Sequence, residues 1–250
     1  MDTELYRKIL LDNWDKINWK QLSKNPAAIH LLELNPEKIN WKQLSKNPAA
    51  IHLLEDNSDK IEWINLSSNP AAIHLLEACP EKIEWFSLSS NSEAIHLLEI
   101  ELNKRPETNK ISWYWLSTNP AAIHLLEANQ DKINWMALSL NPSAIHLLEE
   151  NQDKIYWSQL YFNQAAIDLI ETNPKKIDWD YLSANPSAIH LLEANPDKID
   201  WINLSSNPAA IHLLEACPDK IDWYAFCGCS VTETYKYYLE NIMSYDYVLK

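Results

Sequence analysis

Glycine is all but missing: the chain holds one, Gly228, in 250 residues. So little glycine leaves few turns able to use positive φ, and neither the Gly-rich nor the alternating pattern of strand-based repeats is visible. Cysteine is sparse and poorly spaced for cross-linking. Of the four, Cys79 and Cys217 fill one slot (E-A-C-P) in two distant copies of a repeated phrase. Cys227 and Cys229 form a C-x-C, which has neither zinc-knuckle nor thioredoxin-type spacing. Reduced thiols in an intracellular protein are the expectation. No apolar run approaches the roughly 20 residues of a membrane span, so no membrane partner is expected. The opening MDTELYRKILLDNW lacks the features of a signal peptide. There is no G-x-S-x-G, no phosphate loop and no H-E-x-x-H. Nothing suggests a catalytic centre, a cofactor or a metal.

Basic residues are also outnumbered. Net charge is −14, from 21 Lys and Arg against 35 Asp and Glu. The surplus lies entirely in residues 57–250, because residues 1–56 are balanced. An acidic surface repels phosphate backbones, which argues against nucleic acid. Basic protein surfaces are the better electrostatic match.

What is present is one phrase, repeated. N-P-x-A-I-H-L-L-E followed by x-x-P-x-K-I-x-W-x-x-L-S returns every 22 residues. It sets Trp19, Trp41, Trp63 and Trp85, then, after an insertion, Trp113, Trp135, Trp157, Trp179, Trp201 and Trp223. Such a period is the signature of a solenoid, in which each module leans on its neighbours.

One unit, Asn25 to Lys46, shows how. Asn25-Pro26 is a helix start: the Asn side chain caps an orphan N–H, and Pro loses nothing at the first helical position. Ala28, Ile29 and Leu32 then share one side, with Leu31 at its margin and His30 and Glu33 pointing away. Asn35-Pro36 stops the helix. Ile39 suits an extended segment, and Trp41 and Leu44 suit one helical turn. The slot before Trp is Asn, Asp or Ser in seven of ten copies, which reads as a second N-cap. The capping signals thus predict a helix of about nine residues and one of about five per repeat. Neither would persist alone in water. The fold class expected is all-α: an α-solenoid of nine to ten 22-residue two-helix repeats at 25–225, with an N-terminal capping or partial repeat at 1–24 and a C-terminal cap at 226–250. A ladder of buried indoles, about 150–250 Å² each, is the expected main stabiliser. The tail, with Tyr235, Tyr237, Tyr238, Tyr245 and Tyr247, is expected to be a helix on the last repeat.

The short and longer helices under N-P punctuation resemble, at the level of fold, the leucine-rich-repeat-variant α-solenoids. The phrase itself, as in Asn119–Glu127 and Asn195–Trp201, is similar to tandem-repeat proteins of giant DNA viruses of the mimivirus kind, over about residues 14–224. That resemblance implies a viral origin, with action in an infected host's cytoplasm or in the virion, and no defined activity.

All eight histidines stand in one column: His30, His52, His74, His96, His124, His146, His190 and His212. Asp168 replaces the imidazole in the seventh complete unit. A metal or proton relay would need rings closer than stacked helices, about 8–10 Å apart, allow; a repeated structural hydrogen bond to a neighbouring loop is the expectation. The Glu that closes each unit and the Lys before each Ile read as structural ion pairs or a solvated face.

If constant slots build the scaffold, variable ones are candidates for recognition. The two residues after each Trp vary most, and the middle copies place Ile64, Phe86, Tyr114, Trp115 and Met136 there. Aromatic and Met side chains are favoured in protein interfaces. Six extra residues fall within 100–109 (IELNKRPETN) and bring Arg105, one of two arginines in the chain; insertions in solenoids map to loops, often on the binding face. The seventh unit, YFNQAAIDLIE, departs at Tyr161, Gln164 and Asp168. The function expected is a non-enzymatic scaffold that binds a protein partner through Ile64, Phe86, Tyr114, Trp115, Met136 and Arg105. The alternatives are a self-assembling virion or structural component and a sponge that sequesters a small molecule.

Overall fold

The computed structural model describes residues 16–105 and 110–228. Residues 1–15, the insertion segment 106–109 and the tail beyond Gly228 fall outside it, and with them most of both expected caps. Every regular element among the described residues is an α-helix or a 3-10 turn, and no strand occurs among them. The chain is all-α, built as a solenoid from stacked copies of one unit.

Each copy resolves more finely than the two helices expected. Pro26–Ala28 forms a 3-10 turn and Ile29–Glu33 an α-helix. Pro36–Lys38 is a second 3-10 turn and Trp41–Leu44 a second α-helix. The predicted nine-residue helix is therefore divided. Asn25 accepts from the N–H of Ala27 and fixes a tight first turn, and Ala28 sits at φ −100°, ψ 5°, outside the α region. The second caps stand as predicted: Asn18, Asn40, Ser112, Asn134, Asp178, Asp200 and Asp222 each accept from a backbone N–H two or three residues on.

The chain divides into two compact units, Met1–Ile133 and Asn134–Lys250. In the first, Trp19–Lys24 packs on Trp41–Leu44 and Trp63–Ser67 on Trp85–Leu88, while the proline turns stack in a row from Pro26–Ala28 to Pro120–Ala122. Its core is a lattice of wholly buried side chains, among them Ala50, Leu54, Leu66, Ala72 and Leu76. In the second, Trp179–Ser183, Trp201–Ser205 and Trp223–Gly228 pack in succession, over Leu192, Leu204, Ala210, Leu214 and Phe226.

Two buried polar residues tie copy to copy. The Asn of N-P is buried from Asn47 onward. Besides capping its own turn, Asn69 donates from Nδ2 to the carbonyls of Ser45 (3.1 Å) and Asn47 (3.2 Å) in the preceding copy. Asn91 repeats this toward Ser67 and Asn69. In the second unit Asn207 does so toward Ser183 and Asn185. The buried Ser of the L-S pair adds a second tie. Ser45 Oγ donates to the Trp41 carbonyl and accepts from the Glu62 N–H of the next copy at 3.0 Å. Each of these groups would be costly to bury unpaired.

The expected ladder of buried indoles does not form. The repeat tryptophans are half-buried and Trp223 is exposed. A lysine of the following copy lies over the ring instead: Lys60 over Trp41 at 4.6 Å and Lys132 over Trp113 in the first unit, Lys154 over Trp135, Lys198 over Trp179 and Lys220 over Trp201 in the second. The lysine column is thus a set of cation–π contacts. The glutamate column pairs with histidine rather than lysine. His52, His74, His96 and His212 each meet the Glu of the preceding copy at 2.8 Å. The histidine bond is structural, as expected, but its partner is a helix-end carboxylate and not a loop.

Candidate functional site

The described part of the insertion lengthens a helix. In other copies the I-H-L-L-E helix ends at the Glu or one residue later; here it runs on as Ile95–Lys104. The scaffold continues past the insertion, since Ser112 N–H still reaches Ser89 Oγ and Asn119 Nδ2 still reaches the Ser89 carbonyl. The added turn stands beside an unbroken framework, and it walls a cleft of about 850 Å³ against the preceding copy. Trp85, Phe86, Leu97 and Ile100 give it apolar surface, and Glu101, Lys104 and Arg105 come from the extended helix.

The candidate residues fall into three places. Phe86 and Arg105 line this cleft together. Tyr114 and Trp115 form an edge-to-face pair, centroids 5.1 Å apart. Ile64 lies on the helix packed beside the one that carries Phe86, and Met136 belongs to the second unit. All five apolar candidates are exposed, from 37% for Tyr114 to 60% for Phe86. The two post-Trp positions are not equivalent, however. The first is open in every copy. The second is buried at Asn65 and Ala137, and Asn65 Nδ2 bonds the Lys42 carbonyl at 2.7 Å, so there it serves the framework.

Sequence reasoning missed two features. One is Glu101, buried beside the cleft within the insertion; its signal was an acidic residue between Ile100 and Leu102 on a helix continuing the L-L face. The other is an aromatic group in the second unit. Tyr161 stacks on Tyr181 at 6.0 Å, and Phe162 meets Tyr181 edge-on at 5.9 Å; Phe162 and Tyr181 are exposed. Its signal was the aromatic pair at the head of the divergent YFNQ copy.

Tyr161 also explains how that copy survives losing its serine. The phenol reaches further than Ser Oγ, yet accepts from the Asp178 N–H at 3.1 Å and donates to the Lys176 carbonyl. Burial, aided by the charge of Asp178 and opposed by the Asp178 backbone bond, raises its pKa above the ordinary 10.0.

Among the described residues, no three His, Cys, Asp or Glu side chains are grouped so as to hold a metal ion. Cys79 and Cys217 are unpaired thiols. No described helix is long and apolar enough to cross a membrane. The fold defines the class: an all-α protein of tandem repeats. No protein-family model matches the chain, and no curated protein sequence or solved structure is significantly similar to it.

Proposed function

We propose that this protein is a non-enzymatic repeat scaffold that binds a protein partner through the open post-Trp positions and the cleft beside them. The observation behind this reading is a division of labour within the repeat. Asn, Ser, Trp, Lys, His and Glu are spent on contacts between copies, whereas the slot after Trp is exposed in every copy and carries Ile64, Phe86, Tyr114 and Met136. Apolar residues held open on a rigid frame are interface material. Polar groups that recur with the same partner in copy after copy differ from a catalytic set, which gathers unequal environments in one pocket. The acidic balance suits a partner with a basic surface. The repeat phrase resembles giant-virus proteins, and on this reading the partner would be met in an infected host's cytoplasm or in the virion.

Affinity capture of the tagged protein, followed by titration of what it retains, tests the reading. A stoichiometric partner whose affinity falls at least about tenfold with Tyr114→Ala plus Trp115→Ala is the expected result, two aromatic anchors being ample for that loss. Unchanged affinity in a folded double variant would remove the site assignment. Recovery of the chain alone, with mass rising with concentration, would favour self-assembly.

A further inference from the structure

Glu101 is the most unusual charged group in the described part of the molecule. It is 7% exposed, and its Oε1 is sealed from solvent with no hydrogen-bond partner. Arg105 Nη1 stands 3.7 Å from it, beyond hydrogen-bond reach, on a side chain that is 63% exposed. Every other buried Asn or Ser cited above makes its bonds. A buried carboxylate oxygen without a donor is costly, and Glu101 lines the cleft beside the extended helix.

We infer that the cleft takes one arginine side chain of the partner protein, with Glu101 as its carboxylate; this deepens the protein-binding reading and rests on it. An ionised carboxylate only accepts hydrogen bonds, so the occupant must donate. A guanidinium donates in a planar fork that fits a carboxylate, and it stacks on aromatic faces. Half-buried Trp85 and exposed Phe86 line the same cleft and offer such faces, while Leu97 and Ile100 suit the methylene stem. The volume of about 850 Å³ falls within the range of about 300–1,000 Å³ usual for ligand pockets. The charges around it narrow the occupant further. Exposed Glu81 and Glu84 favour an approaching cation, and Glu77 is already bonded to His96. Lys104, Arg105 and Lys110 also line the cleft and disfavour a run of basic residues. A lone arginine flanked by apolar residues satisfies both.

The test uses the full chain and the peptide acetyl-Leu-Arg-Leu-amide, with the matching citrulline peptide as its neutral isostere. The indole N–H resonance of Trp85, assigned with Trp85→Phe, reports binding by NMR. The arginine peptide is expected to shift that resonance saturably. The citrulline peptide, which lacks the charge-assisted bond, and the Glu101→Gln variant are each expected to bind about tenfold or more weakly. Equal binding of the two peptides to the native chain would overturn the inference without any variant. So would undiminished arginine binding by a folded Glu101→Gln protein. If the arginine peptide fails while a captured partner still depends on Tyr114 and Trp115, this inference falls and the broader reading stands. A saturable arginine site with no captured partner would have the opposite meaning.

Discussion

A buried asparagine side chain holds three positions at once in this protein. Asn69 Oδ1 caps the turn that follows it, and its amide hydrogens reach two carbonyls of the copy before. Removing it strands buried polar groups on both sides, and each group left unpaired costs about 1–3 kcal/mol. The pair between His74 and Glu55 has equally good geometry, 2.8 Å, but both side chains are about half exposed. Solvent screening keeps such a pair to about 0–1 kcal/mol. Asn69→Ala is therefore expected to lower stability severalfold more, in kcal/mol, than His74→Ala, as read from urea unfolding followed by circular dichroism. Comparable losses would mean that the exposed column, not the buried one, carries the joint. Constancy across copies did not separate these roles in the sequence, because both residues recur. Burial separates them, and burial is set by which face of the turn meets the next copy.

At the scale of the element, each short helix depends on a group outside itself. The N–H of the residue before Trp lies at a helix start and finds its acceptor 17 residues earlier, on Ser23, Ser45 or Ser67 in the first unit. Where the serine becomes Tyr161, the phenol takes over the bond from the next copy's N–H, at Asp178, and donates to a new acceptor, the Lys176 carbonyl. Tyr161→Phe keeps the ring stacked but leaves the Asp178 N–H and the Lys176 carbonyl without that hydroxyl; a loss of about 1–3 kcal/mol is expected. The pH dependence has a definite sign. The raised pKa of Tyr161 means that the folded protein holds the phenolic proton more tightly than the unfolded chain does. The associated stability is complete below about pH 10 and is lost as pH rises through the folded pKa. Urea midpoints for the native protein should therefore fall more steeply above about pH 10 than those of Tyr161→Phe. Parallel decline in the two would show that the hydroxyl is not the titrating group. The breakdown of the nine-residue helix belongs to this scale too. Asn25-Pro26 marked its start in the sequence, but not the break at Ala28 after the turn that Asn25 caps, a turn that lies against the corresponding turn of the next copy.

For the whole molecule, stability is a sum over copies and the joints between them, so the period itself becomes testable. Deleting residues 47–68 joins Lys46 to Asn69. It returns Asn69 to 24 residues after Ser23 and His74 to 19 after Glu33, the separations seen now for Asn47 with Ser23 and His52 with Glu33. The shortened chain is expected to fold with the same helical spectrum and to unfold cooperatively, its urea m-value reduced by roughly a tenth in step with the surface removed. Loss of cooperative unfolding would contradict a modular array. A deletion whose length is not a multiple of 22 residues should break both registers and serves as the control.

The sequence by itself determined the period, the all-helical class and the two N-cap positions of the repeat, and it marked the two slots after each Trp as variable without showing that only the first is open in every copy. Those properties follow from local chemistry: Asn, Ser, Asp and Pro act within three or four residues of where they stand. Tertiary structure decided what touches what across 17 to 24 residues. It put lysine over indole and glutamate against histidine, made Asn and Ser the buried ties in place of a tryptophan core, and made the extended helix Ile95–Lys104 a cleft wall that carries a buried carboxylate. None of this could be read along the chain, because two residues at matching places in successive copies have the same local sequence. Only the distance and angle between copies select their partners.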